Sequence, residues 1–245
     1  MCTVSWVTEA QGYTLFQNRD ESRTRASERP PTLETLSGVR YIAPTDGACD
    51  GTWILVNECG LTVTLLNAYR ASLGAPRESY ETRGALVRGL ADCIDARACR
   101  ARLDELDLDR YQPFTLLVVH PDGSFVLDWD GLERTFGEAA PRMPLCSSGK
   151  DARLAREVRN RTLDALVKER GQLDAALLWD FHQSHAEGPS AASTCMHREE
   201  AETRSATRIS VTAERIVLEY WNDAPCRARS SSTFELAPRA REARA

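Results

Sequence analysis

The chain has 245 residues, 42% hydrophobic and 27% charged, the size and make-up of one large globular domain or two at most. A formal net charge of -5, from 31 Lys+Arg against 36 Asp+Glu, argues against a nucleic-acid binder that works through a basic surface, and it repels anionic lipid. Lys150 and Lys168 are the sole lysines, which argues against Schiff-base and pyridoxal-type chemistry. No apolar run approaches the roughly 18 residues of a membrane span, and MCTVSWVTEAQG lacks the basic and apolar regions of a leader. A soluble, cytoplasmic protein without membrane insertion is expected, acting on a small molecule rather than on nucleic acid. The oligomeric state stays open, a homo-oligomer included.

In chain order, residues 2–8 and 13–17 form short β-type runs around Glu9–Gly12, a predicted hairpin with a four- or five-residue loop. Residues 18–38, polar, arginine-rich and broken by Pro30-Pro31, are expected to be a long functional loop. A second hairpin runs through GTWILVN, Glu58-Cys59-Gly60 and LTVTLLN. Leu86, Leu90, Cys93 and Ile94 are spaced for one or two helices within 78–106. PFTLLVVH, Pro121-Asp122-Gly123 and SFVLDWD give a third hairpin, and residues 151–169 and 173–185 two more helices. TCMH, RISV, RIVLEYW and TFEL read as strands. Hairpins at both ends with helices between them predict an α+β chain of two antiparallel sheets packed face to face, with helices outside. The domain is expected over 1–236, with a flexible tail over 237–245.

Several motifs are excluded by single residues. None of the eight cysteines forms C-x-x-C, Gly149-Lys150 is followed by Asp151 and has Pro144 where a P-loop needs glycine, and no two glycines stand at i, i+2. Gly188-Pro189-Ser190-Ala191-Ala192 lacks the last glycine of a nucleophile elbow.

Cys2 is the most informative residue. Met1 before so small a side chain is normally removed, and Cys2 then carries both a thiol and a free α-amine, a nucleophile and a base in one residue. Strand alternation puts Cys2 on the face of Val4 and Trp6, toward the core. The hairpin returns Asn18-Arg19-Asp20-Glu21 to its neighbourhood, where an arginine is expected to lower the thiol pKa and a carboxylate to orient the α-ammonium. Asn67, on the strand face of Leu61, Val63 and Leu65, is an amide able to donate to a developing oxyanion.

On these residues the chain resembles the NRDE, or transport-and-Golgi-organisation, family. The resemblance is carried by MCT at the start, NRDES at 18–22 and DGTWILVNECGLTVTLLN at 50–67, where the family usually has Gly-Gly-Thr-Trp. The same segments are similar, more loosely, to cysteine N-terminal nucleophile (Ntn) hydrolases such as bile-salt hydrolase and penicillin V acylase. That resemblance implies a four-layer αββα sandwich, cleavage of linear amides, no cofactor, Cys2 as nucleophile, Arg19 and Asp20 beside it, and Asn67 on the oxyanion side. Glu21 competes with Asp20, because the acylases place their aspartate one position later. A second oxyanion donor would fall at Ser147 or Ser148, and a late arginine at Arg198 or Arg204, with Arg204 preferred because it precedes a strand. Family members are linked to secretion, haem movement and lipid or acyl-CoA metabolism. The expected function is therefore a cysteine-dependent amidohydrolase or acyltransferase. The alternative is a non-catalytic carrier of haem or an acyl chain in the same cleft.

His182 and His185 on a helix, and Cys195 and His197 on a strand, are chemically fit for zinc. Their spacing matches no common zinc class and nothing in the sequence brings the two pairs together. They are read as helix-surface histidines and a strand residue, and no metal is expected.

Overall fold

The computed structural model describes residues 2–69, 79–185 and 188–239. In chain order the elements are β1 (Cys2–Glu9), β2 (Gly12–Ser22), β3 (Arg29–Leu36), β4 (Val39–Thr45), β5 (Ile54–Asn57), β6 (Thr62–Asn67), α1 (Arg83–Arg88) and α2 (Ala96–Glu105). There follow β7 (Phe114–His120), β8 (Gly123–Trp129), β9 (Arg134–Glu138), β10 (Leu145–Cys146), α3 (Ala152–Arg170), α4 (Ala175–Gln183), β11 (Ala201–Val211), β12 (Ile216–Trp221) and β13 (Ser232–Leu236).

The strands form two antiparallel sheets. One is ordered β10-β1-β2-β11-β12-β13 and the other β3-β4-β5-β6-β7-β8-β9. The central strands carry apolar residues on both faces, so three apolar layers result. Val4, Trp6, Leu15, Ile54, Val56, Leu117 and Ile209 fill the space between the sheets. Leu65, Leu86, Leu90, Leu103 and Leu116 seal α1 and α2 onto the second sheet, and Phe16, Leu163, Leu177 and Phe181 seal α3 and α4 onto the first. The result is the expected αββα order of layers.

Several elements depart from the sequence reading. The first hairpin turns through Ala10 and Gln11 alone, with Glu9 paired to Gly12. A Cβ on Gly12 would lie 1.8 Å from the Val211 carbonyl oxygen, so neighbouring β11 requires glycine there. The expected loop over 18–38 is largely strand, since β2 continues through the whole NRDE tetrad to Ser22 and β3 follows. Pro30 and Pro31 are tolerated because β3 is an edge strand whose register shifts between Arg29 and Thr32. TCMH is not a strand, its sole ladder contact being an isolated bridge from His197 to Glu202. Of the expected tail, residues 237–239 are described and the Arg239 N–H donates to the Glu58 carbonyl at 2.7 Å, while 240–245 lie outside the described residues. Among the described residues no helix is long and apolar enough to cross a membrane.

Candidate active site

β1 and β2 pair so that Cys2 lies opposite Arg19 and Thr3 opposite Asn18. Strand alternation then divides the tetrad by face. Asn18 and Asp20 reach the side covered by α3 and α4, whereas Arg19 and Glu21 reach the space between the sheets. Asn18 Nδ2 donates to the carbonyls of His182 and Thr194, both at 2.9 Å. Its Oδ1 therefore faces His182 Nδ1, which donates to it at 2.9 Å, and His182 Nε2 accepts from Ser5 Oγ at 2.9 Å. The first letter of the tetrad is thus a staple for the end of α4. His182 is fully buried rather than a helix-surface histidine. Burial, with the charge of Arg159 behind it, lowers its pKa to about 3.

Arg19 is held from four sides. It donates to Asp46 Oδ2 at 2.7 Å and Glu28 Oε2 at 3.3 Å, lies 3.7 Å from Glu21, and stacks 4.4 Å above the Trp53 ring. Arg25 adds a two-point pair to Asp46. Burial would raise the Asp46 pKa, but the Arg25 hydrogen bonds, the Ala48 N–H and Arg19 outweigh it and hold the carboxyl well below the usual range. With Arg19 committed to carboxylates, its pull on the thiol is outweighed. Burial pushes the Cys2 pKa up and the charge of Asp20 adds to the rise, while the positive charges of the chain's terminal amine and of Arg19, with a hydrogen bond from the Asp20 backbone, offset only part of it. Arg19 pulls the thiol pKa down, as expected, but with Met1 attached desolvation outweighs that pull.

Asp20 is the buried carboxylate of the two candidates. It accepts from Thr203 Oγ1 at 2.6 Å and pairs with Arg159 at 3.5 Å, whereas Glu21 is partly exposed and accepts from the Ser22 N–H. Arg159, from α3, is a residue the sequence reading missed. It is completely buried and donates to Thr3 Oγ1 at 2.8 Å and to the carbonyls of Cys2, Ala192 and Ser193 at 3.4, 3.3 and 3.2 Å. Its signal is legible in retrospect, for it shares the buried stripe Ala155, Val158, Leu163 of α3.

Cys2, Arg19, Glu21, Asp46, Trp53, Asn67 and Arg83 are among the residues lining a cavity of about 490 Å³. Asn67 Nδ2 donates to Tyr69 Oη at 3.2 Å. The Cα atoms of Gly51 and Gly84 meet so closely that a Cβ on Gly51 would be 2.6 Å from Gly84 Cα, which presses the start of α1 onto the cavity wall. Arg83 lies on that wall. It donates to the Pro113 carbonyl at 2.9 Å and forms no ion pair with a carboxylate among the described residues. Burial lowers its pKa.

Of the two serines, Ser147 is the one at Cys2. Its Oγ accepts from the Cys2 N–H at 2.9 Å, and its own N–H donates to the Cys2 carbonyl at 3.0 Å. Ser148 Oγ instead caps the Lys150 N–H. Arg204 is not among the residues lining the Cys2 cavity. It is the extra residue of a bulge in β11, between the pairs Thr203 to Asp20 and Ser205 to Arg19, and it turns out toward the Ser22 carbonyl and Ser27. Arg198 pairs with Glu200 at 3.3 Å beside a different, smaller cavity of about 270 Å³. The histidine and cysteine pairs do meet in part, because His185, Cys195 and His197 converge with Cys226, while His182 stands apart in the core.

The αββα sandwich with a cysteine at the start of its first strand defines a class, the Ntn-hydrolase-like fold. Among solved structures, a mutant conjugated bile acid hydrolase from Clostridium perfringens is similar over 97% of this chain and 98% of its own (TM-score 0.55, 10% identity). The Caenorhabditis elegans ortholog of N-acylethanolamine-hydrolyzing acid amidase is similar over 96% of this chain and 100% of its own (TM-score 0.60, 14% identity). At these identities the likeness carries the fold alone. The chain itself belongs to the Transport and Golgi organisation 2 family, whose model matches residues 1–135. No curated protein matches it.

Proposed function

We propose that the protein is a cysteine-dependent Ntn hydrolase that cleaves a linear amide of a small molecule, with Cys2 as nucleophile once Met1 is removed and residues 1–236 as one catalytic domain. The observation that carries this reading is the setting of Cys2, whose thiol shares a charged cavity with Asn67 and whose nitrogen meets Ser147 Oγ at 2.9 Å. Because burial raises the thiol pKa, a base beside it is needed, and the freed α-amine is one bond from Cα. The thiol proton passes to that amine as sulfur attacks the carbonyl carbon. The Asn67 amide donates to the oxyanion, and the protonated amine then gives its proton to the leaving nitrogen. Water, deprotonated by the same amine, hydrolyses the resulting thioester and releases the acid. Ser147 orients the amine, Arg159 and Thr203 fix Asp20, and Arg83 marks the place for an anionic group of the substrate.

The carrier reading has less support, because an acyl chain or haem face calls for an apolar wall and this cavity is lined by arginines and carboxylates. The test is a panel of acyl amides, neutral and anionic, incubated with native protein of verified N-terminal mass and with Cys2→Ala. Release of amine by the native protein alone supports the hydrolase. Ligand retention by both forms, with no amine released from any member, rejects it in favour of the carrier.

A further inference from the structure

Where the α4–β11 connection meets the segment after β12, four metal-ligating side chains that do not line the Cys2 cavity come together. One ligand atom from each of His185, Cys195, His197 and Cys226 lies within 4.8 Å of all the others. Cys195 Sγ is 3.5 Å from His197 Nε2, which is 3.3 Å from Cys226 Sγ. Around a tetrahedral zinc with bonds of about 2.3 Å to sulfur and about 2.0–2.1 Å to nitrogen, ligand atoms stand about 3.3–3.8 Å apart. Two separations are therefore already those of a closed site, and the widest needs to shorten by about 1 Å.

Two independent features point to an ion. His185 Nε2 is buried and has no hydrogen-bond partner among the described residues, a costly state for an imidazole nitrogen that a bound cation relieves. On the other side of His197, Nδ1 faces Glu202 Oε2 at 3.8 Å, and Arg23 and Arg227 fix that carboxylate at 2.8 and 3.0 Å. A carboxylate behind a histidine, leaving the other ring nitrogen toward the ligand cluster, is the usual support of a metal-bound imidazole. The backbone holds the ligands in place, since Cys195 N–H donates to the Ser184 carbonyl at 3.0 Å and His197 N–H to the Ser190 carbonyl at 3.2 Å.

We propose that His185, Cys195, His197 and Cys226 form a closed two-cysteine, two-histidine site for a borderline-soft divalent cation of the zinc class. Two thiolates balance its charge, and with four protein ligands the site is structural rather than catalytic. It ties the α4–β11 connection to the turn after β12. That connection carries Thr194, whose carbonyl accepts from Asn18, and Met196, whose N–H donates at 2.8 Å to the Thr203 hydroxyl that binds Asp20. The ion thereby braces the support of Asp20 from behind.

The test uses the full chain without a histidine tag, purified under reducing conditions with zinc supplied. About one zinc per chain by elemental analysis is expected. After stripping with a chelator, cobalt(II) should restore the visible bands of a tetrahedral thiolate site. Cys226→Ser, at the most exposed ligand, should weaken zinc retention against a competing chelator at least tenfold, whereas Cys59→Ser should leave it unchanged. If the ligand variants do not fold, the metal content and cobalt spectrum of the native chain decide alone. Absence of stoichiometric metal from the reduced, zinc-supplied protein overturns the proposal, as does full zinc content in folded Cys226→Ser. A Cys195–Cys226 disulfide in place of metal overturns it as well.

Discussion

Replacing Arg159 with methionine keeps the apolar stem of the side chain and removes its guanidinium. That group and the Asp20 side chain are both 0% exposed and 3.5 Å apart, so water cannot take over the ion pair. Removing one partner of such a pair costs about 3–5 kcal/mol, because the other charge stays buried with its largest compensation gone, although the Thr203 hydroxyl still donates to it. Thr3 Oγ1, at 2.8 Å, and the carbonyls of Cys2, Ala192 and Ser193, at 3.2–3.4 Å, lose a donor as well, but all belong to one network. Their losses overlap with that of the ion pair, and about 4–6 kcal/mol is the expected total. In a chain of this size each kcal/mol moves the melting temperature by about 2–4 °C, so thermal unfolding followed by circular dichroism should shift down by about 8–24 °C. Adding Asp20→Asn removes the stranded charge, and the double variant should regain about 1–3 kcal/mol over Arg159→Met. An Arg159→Met protein melting within about 2 °C of the native one, or a double variant with strictly additive losses, would refute the view that Arg159 exists to hold Asp20.

Asn67→Ala should lower turnover of a hydrolysed amide by about 10²–10³, or about 3–4 kcal/mol of barrier, with the unfolding midpoint almost unmoved; a loss of stability with turnover per folded molecule intact would make Asn67 a strand cap instead. Arg83→Gln should raise KM for anionic amides several-fold and leave neutral ones unaffected, as steady-state kinetics on matched substrates will tell. His182 binds its proton near pH 3 when folded and near pH 6.5 when unfolded, so its contribution is fully present above pH 6.5 and is lost as pH falls toward 3. Denaturant titrations between pH 6 and pH 4 should lose about 1.4 kcal/mol per pH unit from this group, and the slope should flatten by that amount in His182→Gln.

The layers and most hairpins were legible because their apolar periods are local. Cys2, Arg19 and Asn67 line one cavity because Cys2 opens β1, the first hairpin pairs it with Arg19 inside β2, and Asn67 ends β6. What failed was set by contacts distant in the chain. An edge position made room for Pro30-Pro31, which locally read as loop. Arg204 was displaced by a bulge, and single-residue insertions leave no mark on a period-2 pattern. Cys226 joined the histidines across two strands, β11 and β12, and the turns around them, a spacing that no short motif encodes. Arg159 was the exception. An arginine within a buried helical stripe is a local anomaly, and a reading of α3 that asked what could neutralise it would have been led to the carboxylates of β2, of which Asp20 is the buried one.

The raised pKa of Cys2 makes the terminal amine, rather than Arg19, decisive. With a residue attached to its nitrogen, Cys2 has an amide N–H there, donated to Ser147 Oγ at 2.9 Å, and its buried thiol must ionise against desolvation. Freeing the nitrogen puts a full positive charge two bonds from Cβ in a medium of low dielectric, where it favours thiolate far more than it would in water. Two forms of the protein separate the effects, one starting at Cys2 and one bearing an uncleavable N-terminal extension. Iodoacetamide labelling followed across pH by peptide mass spectrometry reads the midpoint directly, whereas raw rates mislead because nucleophilicity falls as pKa falls. The extended form should titrate above the roughly 8.5 of a free cysteine, and the form starting at Cys2 should titrate at least one unit below the extended one. Arg19→Gln should move both midpoints up only slightly, since Asp46, Glu28 and Glu21 already absorb its charge. Equal midpoints for the two forms would mean that the amine does not act on the thiol, and the base of the proposed mechanism would then have to be sought elsewhere in the cavity.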